Sequence, residues 1–178
     1  IYDPLLQHRL YLSSVPAADP GRMFVYGSAP VLAVLFRPFA RLGYIPAYVC
    51  WLAFSLAVYL AALRLLWRAV DLPERERGTA TLLALSSPLY ILETWIGGQV
   101  SVLAFLIVAA ALYLLARRFE YRAGLVLALL AVKPTLCAVP LLMLVAGRRW
   151  RVLAGAATGI PVLGLLSYLA AGAEGLRG

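Results

Sequence analysis

The chain alternates long uncharged apolar runs with short arginine-rich breaks, the pattern of membrane-spanning helices rather than of half-buried surface elements. Residues 42–63 hold no charge over 22 positions, with Tyr44, Tyr48 and Trp51 toward one end and Arg64, Trp67 and Arg68 following the other, so a span with interfacial anchors is predicted over 42–68. A second run, 78–96, is interrupted by Pro88 and carries Glu93 near its far end; a third, 99–116, stops at Arg117 and Arg118. The tight turn Gly97-Gly98-Gln99 joins these two. A last run occupies 152–173. Ahead of the spans, residues 1–28 are polar and punctuated by Pro4, Pro16 and Asp19-Pro20-Gly21, which predicts a water-facing loop with one short helix over 5–13. Residues 29–41 hold Pro30, Pro38, Arg37 and Arg41, too short and too charged a run to cross, and read as an interfacial or re-entrant helix.

The stretch 123–147 stands apart, because Lys133 lies inside it with 10 uncharged residues before and 14 after. A charge that deep in apolar sequence costs several kcal/mol unless it is paired, so it marks a functional site with a partner to be found. Three arginine patches (Arg64, Arg68, Arg75, Arg77; Arg117, Arg118, Arg122; Arg148, Arg149, Arg151) fix the orientation. The positive-inside rule puts all of them in the cytoplasm, leaving the N-terminal loop and the Gly-Gly-Gln turn outside. The 123–147 stretch then has both flanks on one side and cannot be one straight crossing. Ten helical residues rise only about 15 Å, roughly half the ~30 Å hydrocarbon core, so a broken helical hairpin is predicted with its apex at Lys133-Pro134. Proline suits the apex, since it lacks an N–H and disfavours helix in the residue before it.

Composition agrees: 63% of the 178 residues are apolar and 13% charged, and the mean hydropathy is +0.88. That excludes an ordinary soluble domain and predicts an all-α integral membrane protein, a multi-span helical bundle with a re-entrant or broken helix pair. The net charge of +8 sits in patches that read as topology signals, so no nucleic acid is expected as a partner. Cys50 and Cys137 fall inside apolar runs and are expected to be small core residues rather than a disulfide. His8 has no His or Cys nearby, and neither a metal site nor a cofactor is predicted.

Polar groups that could reach the outer face are few: Asp3, Tyr26, Glu93, Trp95, Gln99, Ser101 and Lys133. Each has a plainer reading. Glu93 can sit at head-group level, Gln99 can cap the helix after its turn, and Tyr26 and Trp95 can be aromatic-belt anchors. Lys133 cannot snorkel to either surface from the tip of a short hairpin, so it calls for a buried anion, either an acid on another helix or a ligand's phosphate.

The ordered set IYDPLLQ, FVYGSAPVLAVLFRPFARL, a Trp-bearing span, GGQVSVLAFLIVAAAL, AGLVLALLAVKP and GRRWR resembles glycosyltransferase family 87 from Ile1 to about Arg151. The resemblance implies an integral membrane enzyme of GT-C fold in the cell membrane, transferring a hexosyl group, commonly mannose, from a polyprenyl-phosphate donor to a lipid or glycan acceptor on the extracytoplasmic side. It places the family's aromatic-proline motif on Tyr26 to Pro30, its Gly-Gln turn on Gly98 and Gln99, and its broken-helix lysine on Lys133. Where the family usually has Tyr-Pro-Pro, this chain has Tyr26-Gly27-Ser28-Ala29-Pro30. The resemblance further implies that Lys133 helps bind the donor phosphate and that Tyr26, Gln99 and Glu93 line the pocket. The catalytic base is an acid of the first extracytoplasmic loop, expected upstream of Ile1, with Asp3 a candidate. The chain then reads as part of a longer protein, inactive as a fragment, and its arginine-rich, Ala- and Gly-rich text suggests a bacterial source. Two alternatives stay open from the residues alone: a transporter or lipid flippase, and a non-catalytic membrane subunit in which Lys133 pairs with Glu93.

Overall fold

The computed structural model describes residues 4–14, 19, 21 and 36–171, and among them there is helix and turn but no strand. Helix α1 spans Pro4–Ser14, where the sequence predicts a short helix, and a 3-10 turn covers Phe39–Arg41 within the expected interfacial segment. Helix α2 (Tyr44–Ala69) is followed by α3 (Glu74–Leu85), a π-helical segment (Leu89–Ile96), α4 (Ser101–Ala116) and α5 (Glu120–Ala128). A 3-10 turn (Leu129–Val132), α6 (Pro134–Ala146) and α7 (Trp150–Ala171) complete the described chain. Among the described residues, α2 and the Trp150–Leu169 part of α7 are long and apolar enough to cross a bilayer. The π segment with α4, bent by 113° at the turn between them, is a third candidate.

The direction of each element follows from its contacts. Trp51 on α2 lies beside Gly98, and Tyr59 two turns further on lies 5.4 Å from Phe105, so α2 and α4 run parallel. The chain between them runs back: Trp67 donates to Thr81 Oγ1 at 3.1 Å, Tyr59 to the Ala84 carbonyl at 3.1 Å and Trp95 to the Leu52 carbonyl at 3.1 Å. The sequence reads this return as one span over 78–96; the structure divides it at Ser86–Pro88. Pro88 has no N–H to give to Ala84, four residues earlier. The Ala84 carbonyl instead accepts the Ser87 N–H at 3.4 Å and the Tyr59 hydroxyl, so it is not left bare in an apolar setting. The helix resumes beyond the break with π spacing, a form that is rare and concentrates at functional sites.

The C-terminal half is built on a second parallel pair. Glu120 at the start of α5 pairs with Arg149 just before α7 at 3.3 Å, and the Tyr121 and Thr158 hydroxyls bond at 2.9 Å. Gly124 faces Val152 and Ala156, and Gly159 faces Ala128, so contacts advance in the same direction along α5 and α7. Two consecutive parallel helices require a return between them, and α6 is that return. Leu144 near its end packs in one cluster with Ala111, Ala123, Cys137 and Val152. Glu120 through Val132 and Pro134 through Ala146 therefore form two arms, each about 20 Å long, with their open ends together and Lys133 at the closed end. The basic residues Arg117, Arg118, Arg148 and Arg149 gather at the open end, and the parallel run of α2 with α4 brings Arg64 and Arg68 to the same end of the bundle.

Close approach of α5 and α7 depends on glycine. A Cβ at Gly124 would overlap the Val152 carbonyl oxygen and lie 2.8 Å from the Ala156 nitrogen, and one at Gly155 would overlap the Tyr121 carbonyl oxygen. Small residues at such seams let backbones touch, which is how helices hold together where lipid removes the hydrophobic drive. Cys137 is buried in this core, as expected. Cys50 is not: it is exposed, because the face of α2 that also carries Ile45 and Val49 has no partner among the described residues.

Candidate functional site

Lys133 closes the hairpin in a conformation that belongs to neither arm, with φ −129° and ψ 87°. Its own N–H reaches back to the Leu130 carbonyl at 2.9 Å, ending the 3-10 turn, and its carbonyl accepts the Leu136 N–H at 2.9 Å, opening α6. Pro134 sits in the first turn of α6, where its missing N–H costs nothing, and it holds Lys133 out of the helical region. The side chain is half-buried at the edge of a cavity of about 110 Å³. The walls are Leu103, Ala104 and Ile107 of α4 and Leu129, Leu130 and Leu136 of the hairpin. Among the described side chains, no carboxylate lies within ion-pair distance of the Lys133 ammonium. The site is thus an apolar slot walled in part by the stem of Lys133, the one charged residue among its described lining.

Val100 lines the same cavity, and this ties the Lys133 site to the Gly-Gly-Gln turn one residue earlier. The turn is clamped onto α2: the Tyr48 hydroxyl donates to the Ile96 carbonyl at 2.7 Å and the Trp51 indole to the Gly98 carbonyl at 3.2 Å. Gly98 has φ +66°, a left-handed conformation that favours glycine, and the Gln99 N–H closes the turn on the Thr94 carbonyl at 3.1 Å. Gln99 does not cap α4. The N-cap position is Val100, with no side-chain capping bond, so the exposed Gln99 amide is left facing out at the lysine end of the bundle.

Of the other sequence-predicted positions, Asp3 and Tyr26 lie outside the described residues. Glu93 has its backbone in the π segment, but its side chain lies outside what is described. Trp95 is half-buried and bound to α2 through the Leu52 carbonyl, so it braces the fold more than it anchors an interface. Ser101 belongs to a feature that sequence reasoning misses, a cleft of about 320 Å³ lined by the polar side chains of Tyr59, Ser87, Tyr90, Thr94 and Ser101. The rings of Tyr59 and Tyr90 stack there at 3.7 Å and 14°, and the buried Tyr90 hydroxyl has no hydrogen-bond partner among the described residues. The signal is present as hydroxyl residues clustered around Pro88, but only the antiparallel register brings Tyr59 to them. The aromatic residues Phe36 and Phe39, packed 4.9 and 5.9 Å from Trp51, are in sequence no more than part of an interfacial segment.

The sequence model of glycosyltransferase family 87 matches residues 24–178, which include the turn, the hairpin and every described helix but α1. Comparison with curated proteins and with solved structures returns no match. A helical fold with membrane-spanning candidates and a family model that matches most of the chain lead to one assignment: the chain belongs to glycosyltransferase family 87, a family of membrane glycosyltransferases.

Proposed function

We propose that the full-length protein transfers a hexosyl group, mannose, from a polyprenyl-phosphate donor to a lipid or glycan acceptor at the extracytoplasmic face of the cell membrane. The observation that supports this most is the Lys133 cavity, which pairs a cation lacking a carboxylate partner among the described side chains with an apolar slot. An apolar cavity of about 150 Å³ takes a benzene ring; by that scale the 110 Å³ slot accepts a hydrocarbon fragment of about four carbons. A phosphate on a branched hydrocarbon chain has both parts. The three basic clusters gather at the opposite end from Lys133, and the positive-inside rule turns the lysine end outward.

A sugar on a lipid phosphate is already activated. The acceptor hydroxyl attacks the anomeric carbon, its proton passes to a carboxylate base, and the bond from that carbon to the phosphate oxygen breaks. Lys133 holds the phosphate as negative charge builds on it, and Gln99, Tyr26 and Glu93 line the mouth where sugar and acceptor meet. The base is an acid of the first extracytoplasmic loop, upstream of Ile1 or Asp3 itself.

Lys133→Met in the full-length protein tests the reading. Removing a charge-assisted contact to phosphate costs about 1.5–3 kcal/mol, so kcat/KM for sugar transfer should fall roughly 10- to 150-fold. Lys133→Arg should keep a measurable part of the activity, since it keeps the charge. Turnover near wild type in Lys133→Met would remove Lys133 from the mechanism. Exchange of the charges in a Lys133→Glu, Glu93→Lys double variant separates the roles, because a purely structural pair tolerates the swap and a phosphate site does not.

A further inference from the structure

A second charged cleft lies at the basic end of the bundle, between α2 and α3, away from Lys133. It measures about 580 Å³, and its lining includes Arg64, Arg68, Arg77, Trp67, Leu60 and Leu82. Arg64 and Arg68 are one helical turn apart on α2 and face the same opening, an arrangement of like charges that repels unless an anion joins it. Among the described residues neither meets a carboxylate, whereas Arg77 is engaged by Glu74 at 3.4 Å and by the Leu72 carbonyl at 2.8 Å. The cleft thus carries three guanidinium groups against the single carboxylate of Glu74. Its floor is fixed, because the Trp67 indole donates to Thr81 Oγ1 at 3.1 Å and locks the two helices together. Toward the middle of the bundle the walls turn apolar, with Leu60 and Leu82 exposed at 40% and 69%.

We propose that this cleft binds one anionic phospholipid of the leaflet on the basic side. Its phosphate sits between Arg64 and Arg68, and an acyl chain runs along Leu60 and Leu82. The order of groups supports a lipid over a soluble anion: charge at the mouth, an indole at the level where head groups meet hydrocarbon, and leucine beyond it. Basic pockets between transmembrane helices on the cytoplasmic side select such head groups. The site is independent of the sugar-transfer reading, sharing no residue with the Lys133 cavity.

Native mass spectrometry of the full-length protein, in micelles doped with equal amounts of phosphatidylglycerol and phosphatidylcholine of the same acyl chains, reads the site directly. The wild type should retain phosphatidylglycerol preferentially, and each of Arg64→Gln and Arg68→Gln should lower that retention about fivefold, the factor that one basic residue contributes near a charged surface. Arg75→Gln is the internal control. Arg75 is as basic and is exposed, but it pairs with Glu76 and is outside the cleft, so its removal should leave retention unchanged. Equal retention of the two lipids by the wild type would overturn the proposal. So would a double Arg64→Gln, Arg68→Gln variant that keeps the wild-type preference, or an Arg75→Gln effect as large as that of either cleft arginine.

Discussion

The seam between α5 and α7 gives a prediction that can be worked from the backbone alone. An alanine at Gly124 puts a methyl group into the Val152 carbonyl oxygen and 2.8 Å from the Ala156 nitrogen, both of them main-chain atoms that cannot swing aside. The helices must part by more than an ångström. A gap of 0.5–1 Å already forfeits a quarter to a half of each contact's dispersion energy, and overpacking of this kind costs about 1–3 kcal/mol. Gly155→Ala meets the Tyr121 carbonyl oxygen in the same way. Gly164, further along the same helix, has nothing within 4 Å of where a methyl group would stand, so Gly164→Ala should be neutral or gain up to about 1 kcal/mol from helix propensity. Thermal unfolding in detergent, followed by intrinsic tryptophan fluorescence, separates the cases: at about 2–4 °C per kcal/mol, Gly124→Ala and Gly155→Ala should each lower Tm by roughly 2–12 °C while Gly164→Ala does not. The double Gly124→Ala, Gly155→Ala variant should cost less than the sum, because helices already pushed apart no longer clash a second time. Equal Tm shifts for Gly124→Ala and Gly164→Ala would refute the close parallel packing of α5 on α7.

Two further predictions concern the turn and the open end of the hairpin. Trp51→Phe removes the indole bond to the Gly98 carbonyl and should cost about 1 kcal/mol; Gly98→Ala, forced to φ +66°, should cost a further 1–2 kcal/mol or so, each read as a lower Tm, and no loss in either variant would detach the turn from α2. Glu120→Gln breaks a partly exposed pair with Arg149 and should cost under about 1 kcal/mol, an effect that shrinks as salt is raised in the same melt; a loss of several kcal/mol would mean the pair is far less solvated than its exposure implies.

The parts of the fold that are legible in sequence are those encoded by neighbours along the chain. The uncharged run 42–63 and its flanking aromatics mark α2, and Lys133-Pro134 announces the break because a residue before proline avoids helix. The arginine patches imply that the hairpin must turn back. What stays hidden depends on register between distant segments. Gly124, Gly155 and Gly159 are ordinary small residues until α5 and α7 are known to run parallel, about 30 positions apart in sequence. Tyr59 and Tyr90 carry no sign of each other, since their stacking follows from the antiparallel return that also brings the Tyr59 hydroxyl to the Ala84 carbonyl. Pro88 is visible as an interruption of the 78–96 run, but the π spacing after it is a choice among helical forms that apolar text does not encode. Gln99 suits a cap by position alone, and the placement of Val100 at the N-cap withdraws that role.

The hairpin also bears on how the chain is counted through the bilayer. A helix that crosses changes the parity of everything downstream; a loop that enters and leaves by one surface does not. The segment from Glu120 to Ala146 returns to the end of the bundle it left, so α7 sets out from the same end at which α4 stopped. Such an insert can lengthen or shorten without changing the end of the bundle from which the next helix begins.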